Sequence, residues 1–245
     1  MANTVFYTFP DSAALVWAGE ELRRAGFEVA DSPSGAVTHL LLGVPCKTAD
    51  ETLTELLDKV NADVTIFGGN LSRPCFADHK TADLLQDEDY LWQNARITAQ
   101  IALTLGARAL DSTFDGLEVA ILGWGRIGQC LAPLLKALGA NVTVAARKEV
   151  HRAQIRALGY RPVDMQSLED SLSAAQLLYN TVPAPVLHAS ACPVGSVKID
   201  LASKDGIIGR DVLMARALPG KYAPRSSGEL IGKTVIRLME KEGAK

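Results

Sequence analysis

Gly123, Trp124, Gly125, Arg126, Ile127 and Gly128 stand directly after the apolar run Glu118 to Leu122 and directly before an apolar-periodic stretch through Leu131, Leu134 and Leu135. Three glycines at this spacing between a strand and a helix do separate jobs. The first permits a tight turn, the second lets a pyrophosphate approach the backbone, and the third lets helix and strand pack closely. The helix start adds free N–H groups and the positive end of its dipole. The chemistry supported is dinucleotide binding; the bland alternative is a glycine turn kept for packing.

The next strand ends in Ala145-Ala146-Arg147-Lys148. An acid there would bind an adenosine ribose 2′-hydroxyl, whereas a cation accepts a 2′-phosphate. NADP is therefore expected ahead of NAD, through Arg147 and Lys148, unless these two only begin the next helix and Glu149 or another group holds the ribose. Two further strand ends, Asn180-Thr181-Val182-Pro183 and Asp200-Leu201-Ala202-Ser203-Lys204, put short polar groups after apolar strands. Ligands of doubly wound sheets sit outside such carboxyl ends. Asn180, Thr181, Val182, Pro183, Asp200, Ala202 and Ser203 are thus expected to contact a nicotinamide ribose and carboxamide, although Asp200 equally suits a buried cap for the following loop. The turn-rich stretch Leu218 to Gly228 precedes the last helix, with Ser226 or Ser227 expected as its N-cap. Its Pro219-Gly220 pair and anion-friendly helix start suggest a contact to a substrate carboxylate or to nicotinamide.

The elements that must position these groups alternate in type. Residues 1–85 read as strand, helix, strand, strand, helix, strand, a small α/β unit. No strand signal follows between Thr81 and Leu110, where acids precede apolar residues at helical spacing through Leu91, Ile97, Ile101 and Leu105, a long linker helix over 86–110. Residues 111–225 alternate again, with a short strand near Val212 to Ala217, and 226–245 form an amphipathic helix able to pack back on the first unit or the linker. The expected fold class is α/β: a Rossmann-type doubly wound parallel sheet preceded by a smaller, flavodoxin-like α/β domain.

Composition narrows the function classes. The 245 residues are 48% hydrophobic and 22% charged, which excludes disordered, collagen-like and coiled-coil chains. A formal net charge of -3 without any Lys/Arg run removes the phosphate attraction that nucleic-acid binding needs. No apolar stretch is long enough to span a bilayer and no secretory leader is evident, so the expectation is a cytoplasmic protein without membrane contact. Cys46, Cys75, Cys130 and Cys192 are widely spaced with no CxxC pair, which fits reduced thiols and no metal site.

Four segments, NARITAQIALTLG, ILGWGRIG, the pair NTVP and DLAS, and LPGKYAPRSSGELIGKTV, resemble the A subunit of bacterial dipicolinate synthases, relatives of the D-2-hydroxyacid dehydrogenases. The resemblance covers about residues 88 to 242. It departs at DLASKDGIIG, where Lys204 takes the place of an arginine and keeps charge without the two-pronged geometry, and in a first domain shorter than expected. It implies NADP-linked oxidation of a dihydrodipicolinate-type heterocycle to pyridine-2,6-dicarboxylate during spore formation, in partnership with a flavoprotein-like B subunit. Such a reaction needs cations for two carboxylates, for which Lys204, Lys221 and Arg225 stand ready, within a substrate set of Lys204, Pro219, Gly220, Lys221, Arg225, Ser226 and Ser227. His79 and His188 are the candidates for moving a proton and, with Lys204 and Lys221, make up the catalytic set; His39 reads as a core residue. Related two-domain dehydrogenases imply a homodimer. Two other readings stay open: a D-2-hydroxyacid-type dehydrogenase, whose His/Glu/Arg set is not evident here, and an NADP-binding regulatory or scaffold subunit without turnover.

Overall fold

The computed structural model describes residues 4–243 as two compact units, one made of 4–94 with 219–243 and the other of 95–218. In the first, β1 (Val5–Thr8), α1 (Ala13–Arg24), β2 (Glu28–Ala30), β3 (His39–Leu41), α2 (Asp50–Leu57), β4 (Thr65–Gly68) and β5 (Thr81–Asp83) build a parallel sheet in the order β2-β1-β3-β4-β5. That is the flavodoxin-like order. Its strands read as near-continuous apolar runs because both faces are covered; Leu40, Leu42, Leu53, Val64 and Ile66 are fully buried in one cluster. β5 falls where no strand signal exists. Thr-Ala-Asp has little β-propensity, and the segment is strand because it completes an edge: Asp83 accepts from the N–H groups of Leu71 and Leu85 at 3.0 and 2.8 Å.

Helix α3 (Glu88–Ala109) leads from the first unit into the second. Asp87 caps it, accepting from the Tyr90 N–H at 2.8 Å. The second unit contains β6 (Glu118–Leu122), α4 (Arg126–Ala137), β7 (Asn141–Ala146), α5 (Glu149–Ala157), β8 (Arg161–Asp164), α6 (Leu168–Ser171), β9 (Leu177–Asn180), β10 (Leu187–His188), β11 (Val197–Asp200), β12 (Ile207–Ile208) and β13 (Leu213–Met214). Six of these strands pair in parallel in the order β13-β11-β9-β6-β7-β8, the Rossmann order, and β10 pairs with β12. Edge strand β8 was hidden in the sequence by Pro162, which an edge tolerates.

The chain ends in α7 (Leu218–Tyr222) and α8 (Pro224–Gly243). This corrects the expected turn-rich loop and its serine cap. Pro219 and Gly220 lie inside α7, and α8 starts at Pro224, because proline needs no N–H in the first turn of a helix. Ser226 and Ser227 therefore sit within the first turn, with the Ser227 N–H donating to the Ala223 carbonyl at 2.9 Å. Helix α8 packs on α1 through Gly228 and Gly232, four residues apart on one face. A Cβ on Gly228 would come within 2.5 Å of Trp17 Cβ, and one on Gly232 within 2.7 Å of Glu21 Cβ. Further along, Arg237 donates to Asp87 at 2.6 Å and holds that carboxyl below the usual carboxylate range. The four cysteines are free, and burial pushes the Cys75, Cys130 and Cys192 thiols up, away from the reactive thiolate. No described helix is long and apolar enough to cross a membrane.

Candidate functional site

The glycine turn joins β6 to α4, and each glycine has its own surroundings. Gly123 has a φ of 106°, a left-handed conformation that favours glycine, and a Cβ there would also collide with Thr181 Oγ1. A Cβ on Gly128 would overlap the Gly123 carbonyl, so helix and turn touch there. Gly125 meets nothing within 4 Å of such a Cβ. The middle glycine therefore leaves open space over the N-terminus of a helix of 12 residues, where a pyrophosphate fits.

A cavity of about 470 Å³ opens beside this turn, lined by Gly123, Trp124, Gly125, Ala146, Arg147, Lys148, His151, Met165 and residues 181–186. Thr181, Val182 and Pro183 thus line it as expected, with Thr181 Oγ1 held to the Leu122 carbonyl at 2.9 Å. Trp124 contributes backbone rather than its ring: the indole is buried and its Nε1 donates to Gln154 Oε1 at 2.9 Å. Arg126 and Ile127 begin α4, half-buried.

At the end of β7 the charges are sorted. Arg152 donates to the Ala146 and Arg147 carbonyls, both at 2.9 Å, and pairs with Glu149 at 2.7 Å and Asp164 at 2.9 Å. One guanidinium thus engages both neighbouring acids. The side chains of Arg147 and Lys148 are exposed and have no partner among the described residues. Sequence reading missed Arg152 because its second acid, Asp164, comes to it from another element, the end of β8.

Asn180 and Asp200 are fully buried, and here the expectation of direct cofactor contact is corrected. Asp200 accepts from the Asn180 amide at 2.9 Å and from the N–H groups of Ala202, Gly206 and Ile207 at 3.1, 2.7 and 3.0 Å. Asn180 also donates to the Val182 carbonyl and accepts from the Val182 N–H. Both side chains are consumed in shaping the loops after β9 and β11, the cap alternative for Asp200; the Ala202 N–H is spent in the same network. Ser203 and Lys204 are exposed on the loop that results.

The remaining expected residues fall in both units, His79, Lys221, Arg225, Ser226 and Ser227 in the first and His188 in the second. Arg225 is exposed, bound to Glu229 at 2.8 Å, and lies 5.2 Å from the Trp17 ring at the α1–α8 contact. Ser227 is buried in that contact, whereas Ser226 and Lys221 are exposed, with the Lys221 ammonium over the Tyr222 ring. His79 is half-buried, and its Nδ1 is buried without a partner among the described residues. His188 is exposed on β10 and lines a cavity of about 480 Å³ with Met165, Gln166 and Ser167, which shares Met165, Pro185 and Val186 with the cavity beside the glycine turn.

Residues 90–187 match the family of the D-isomer specific 2-hydroxyacid dehydrogenase, NAD binding domain. Over 201 residues the chain is 30% identical to the A subunit of dipicolinate synthase of Bacillus subtilis (strain 168), covering 75% of this chain and 67% of that protein. The fold is similar to the crystal structure of the A subunit of dipicolinate synthase from Bacillus halodurans, with a TM-score of 0.83 at 22% identity, covering 97% of this chain and 98% of that one. The corresponding crystal structure from Bacillus subtilis gives a TM-score of 0.83 at 24% identity over 100% of this chain and 98% of that one. A glycine turn built for a dinucleotide, two sheets in these orders and this relationship agree: the chain belongs to the family of dipicolinate synthase A subunits and carries a nicotinamide-dinucleotide-binding domain of the dehydrogenase type.

Proposed function

We propose that the chain is an NADP-dependent oxidoreductase that converts a dihydrodipicolinate-type heterocycle to pyridine-2,6-dicarboxylate, as a cytoplasmic homodimer working with a flavoprotein-like second subunit. The observation that carries the cofactor assignment is the sorting of charge after β7. Arg152 holds Glu149 and Asp164, while Arg147 and Lys148 remain exposed and unengaged. A 2′-phosphate meets two cations there, and a 2′-hydroxyl meets no free acid. The relatives, which are named as subunits of dipicolinate synthases, supply the substrate and the second subunit of this reading.

When bound, nicotinamide supplies the hydride acceptor. Aromatisation takes one ring hydrogen as hydride, with its electron pair, and a second as a proton released to a base or to water. The residues of the chain have to hold two carboxylates and exclude competing poses. Lys204 and Lys221 are the exposed cations we assign to the first task. His79, whose Nδ1 has no partner among the described residues, and the exposed His188 are the histidines we assign to the proton. The engagement of Arg225 by Glu229 favours, as second reading, an NADP-binding subunit without turnover; the family of the matched domain keeps a D-2-hydroxyacid substrate compatible.

Calorimetric titration of the full chain with NADP and NAD, repeated on Arg147→Ala, tests the assignment. Losing one charged two-pronged phosphate contact should weaken NADP about 10- to 100-fold and leave NAD within about twofold. Equal affinity for both nucleotides in the wild type would sink the NADP assignment. Absence of nucleotide binding would sink the dehydrogenase reading, and bound NADP without dihydrodipicolinate oxidation, with or without the second subunit, would favour the non-catalytic one.

A further inference from the structure

The carboxyl edge of the six-stranded sheet carries a guanidinium outside the glycine turn and the other strand-end motifs. Ala215 follows β13, and its N–H donates to the Asp200 carbonyl at 2.8 Å, which fixes residues 215–216 beside the carboxyl end of β11. Arg216 Nη2 meets Asp205 Oδ1 at 2.5 Å, on the loop between β11 and β12. Arg216 Nη1 is buried and has no acceptor among the described residues, although the side chain as a whole is 31% exposed. Ala217, the next residue, has a φ of 52°, a left-handed conformation that a non-glycine residue keeps only when its surroundings impose it.

Position suggests what the group is for. The glycine turn follows β6 and Arg147 follows β7, so in the order β13-β11-β9-β6-β7-β8 the adenosine half of a dinucleotide lies over β7. The other half then extends over β9 and β11, and Arg216 lies at the next strand, on the side where a substrate must meet nicotinamide. A guanidinium presents five donors in a planar fork. Asp205 engages one arm and orients the plane, and the other arm keeps a donor that a buried setting leaves costly to waste. A planar carboxylate is the partner that such a fork accepts best.

We propose that Arg216, oriented by Asp205, binds a carboxylate of the substrate. This rests on the dehydrogenase reading and deepens it, since it names the side chain of this chain that holds one carboxylate of the substrate. Asp205 is a positioning residue, acting through Arg216.

Titration of pyridine-2,6-dicarboxylate, with pyridine-2-carboxylate as the single-acid control, into the full chain with and without saturating NADP tests the assignment. Wild type, Arg216→Gln, Arg216→Lys and Asp205→Asn are compared, with NADP affinity and thermal midpoint measured for each. Arg216→Gln should weaken the diacid at least about tenfold and narrow its advantage over the single acid. Arg216→Lys, which keeps charge without the fork, should weaken it about three- to tenfold, and NADP affinity should stay within about twofold throughout. Unchanged diacid affinity in Arg216→Gln overturns the proposal and leaves Asp205–Arg216 as a tie between two loops. Should that variant fail to fold, the same criterion is read from Arg216→Lys and Asp205→Asn. A wild type that binds NADP but no diacid refutes the substrate reading and this proposal with it. Failure at the cofactor is told apart by the NADP titration, and the cofactor-free titration then decides Arg216 alone.

Discussion

The two halves of one sheet edge are built on opposite principles. After β6 and β7 the edge consists of missing side chains and unengaged cations: Gly125 leaves open space, and Arg147 and Lys148 hold no partner among the described residues. After β9 and β11 it consists of a closed network in which Asn180 and Asp200 satisfy one another and the loop backbone. Polar groups at the first edge stay unengaged among the described residues, whereas at the second they are used up in giving the backbone its shape. A polar residue at a strand end thus has two uses, and only its burial and partners tell them apart.

The sharpest break of this comparison is Asp200→Ala. It leaves four buried donors without an acceptor, and at about 1–3 kcal/mol each the variant should lose about 4 kcal/mol or more of stability. Chemical denaturation measures it. A loss below about 1 kcal/mol, with nucleotide affinity reduced instead, would return Asp200 to the cofactor-contact role expected from the sequence.

The three glycines sharpen the contrast within the other edge. Gly128→Ala sets a methyl against the Gly123 carbonyl and should destabilise by about 1–3 kcal/mol. Gly125→Ala meets nothing and has an ordinary φ of -84°, so the melting temperature should hardly move. Its nucleotide affinity should nevertheless fall by about tenfold or more, because the methyl occupies the approach of the pyrophosphate. If Gly125→Ala bound nucleotide as the wild type does, the open space would have another use.

How much of this was legible follows the reach of the contacts. The glycine turn is a local device, so its spacing between β6 and α4 could be read from a dozen residues. Long apolar strands were legible for the same reason. β5 and β8 were not, since one is a three-residue edge and the other contains Pro162, and pairing rather than propensity makes them strands. The helix at Pro224 was misread because turn chemistry and helix-start chemistry use the same residues, Pro, Gly and Ser. Asp205 and Arg216 lie 11 residues apart across two short strands, with no motif around them. Arg225 looked like a free cation until α8 placed it against Glu229 and Trp17.

The first unit offers a counterpart to Asp200 in Asp87, an acid tied to a guanidinium. Asp87 caps α3 and receives Arg237 of α8, and this guanidinium holds its carboxyl below the ordinary aspartate value of about 3.9. A depressed folded-state value means that the unfolded chain takes up the proton first as pH falls. The contribution is therefore fully present above the ordinary value and is lost as pH drops through the folded one. Asp87→Asn can keep the cap to Tyr90, since asparagine is as good an N-cap as aspartate, while it removes the charge and one of the two acceptors of Arg237. The variant should be about 1.5–3 kcal/mol less stable than wild type at pH 6, a charged hydrogen bond's usual worth. The gap should close toward pH 2, as protonation leaves the wild type without its charge too. Paired denaturation curves from pH 6 to pH 2 measure it, and a gap that stayed constant would mean that Asp87 acts by shape, as Asn180 does, and not by charge.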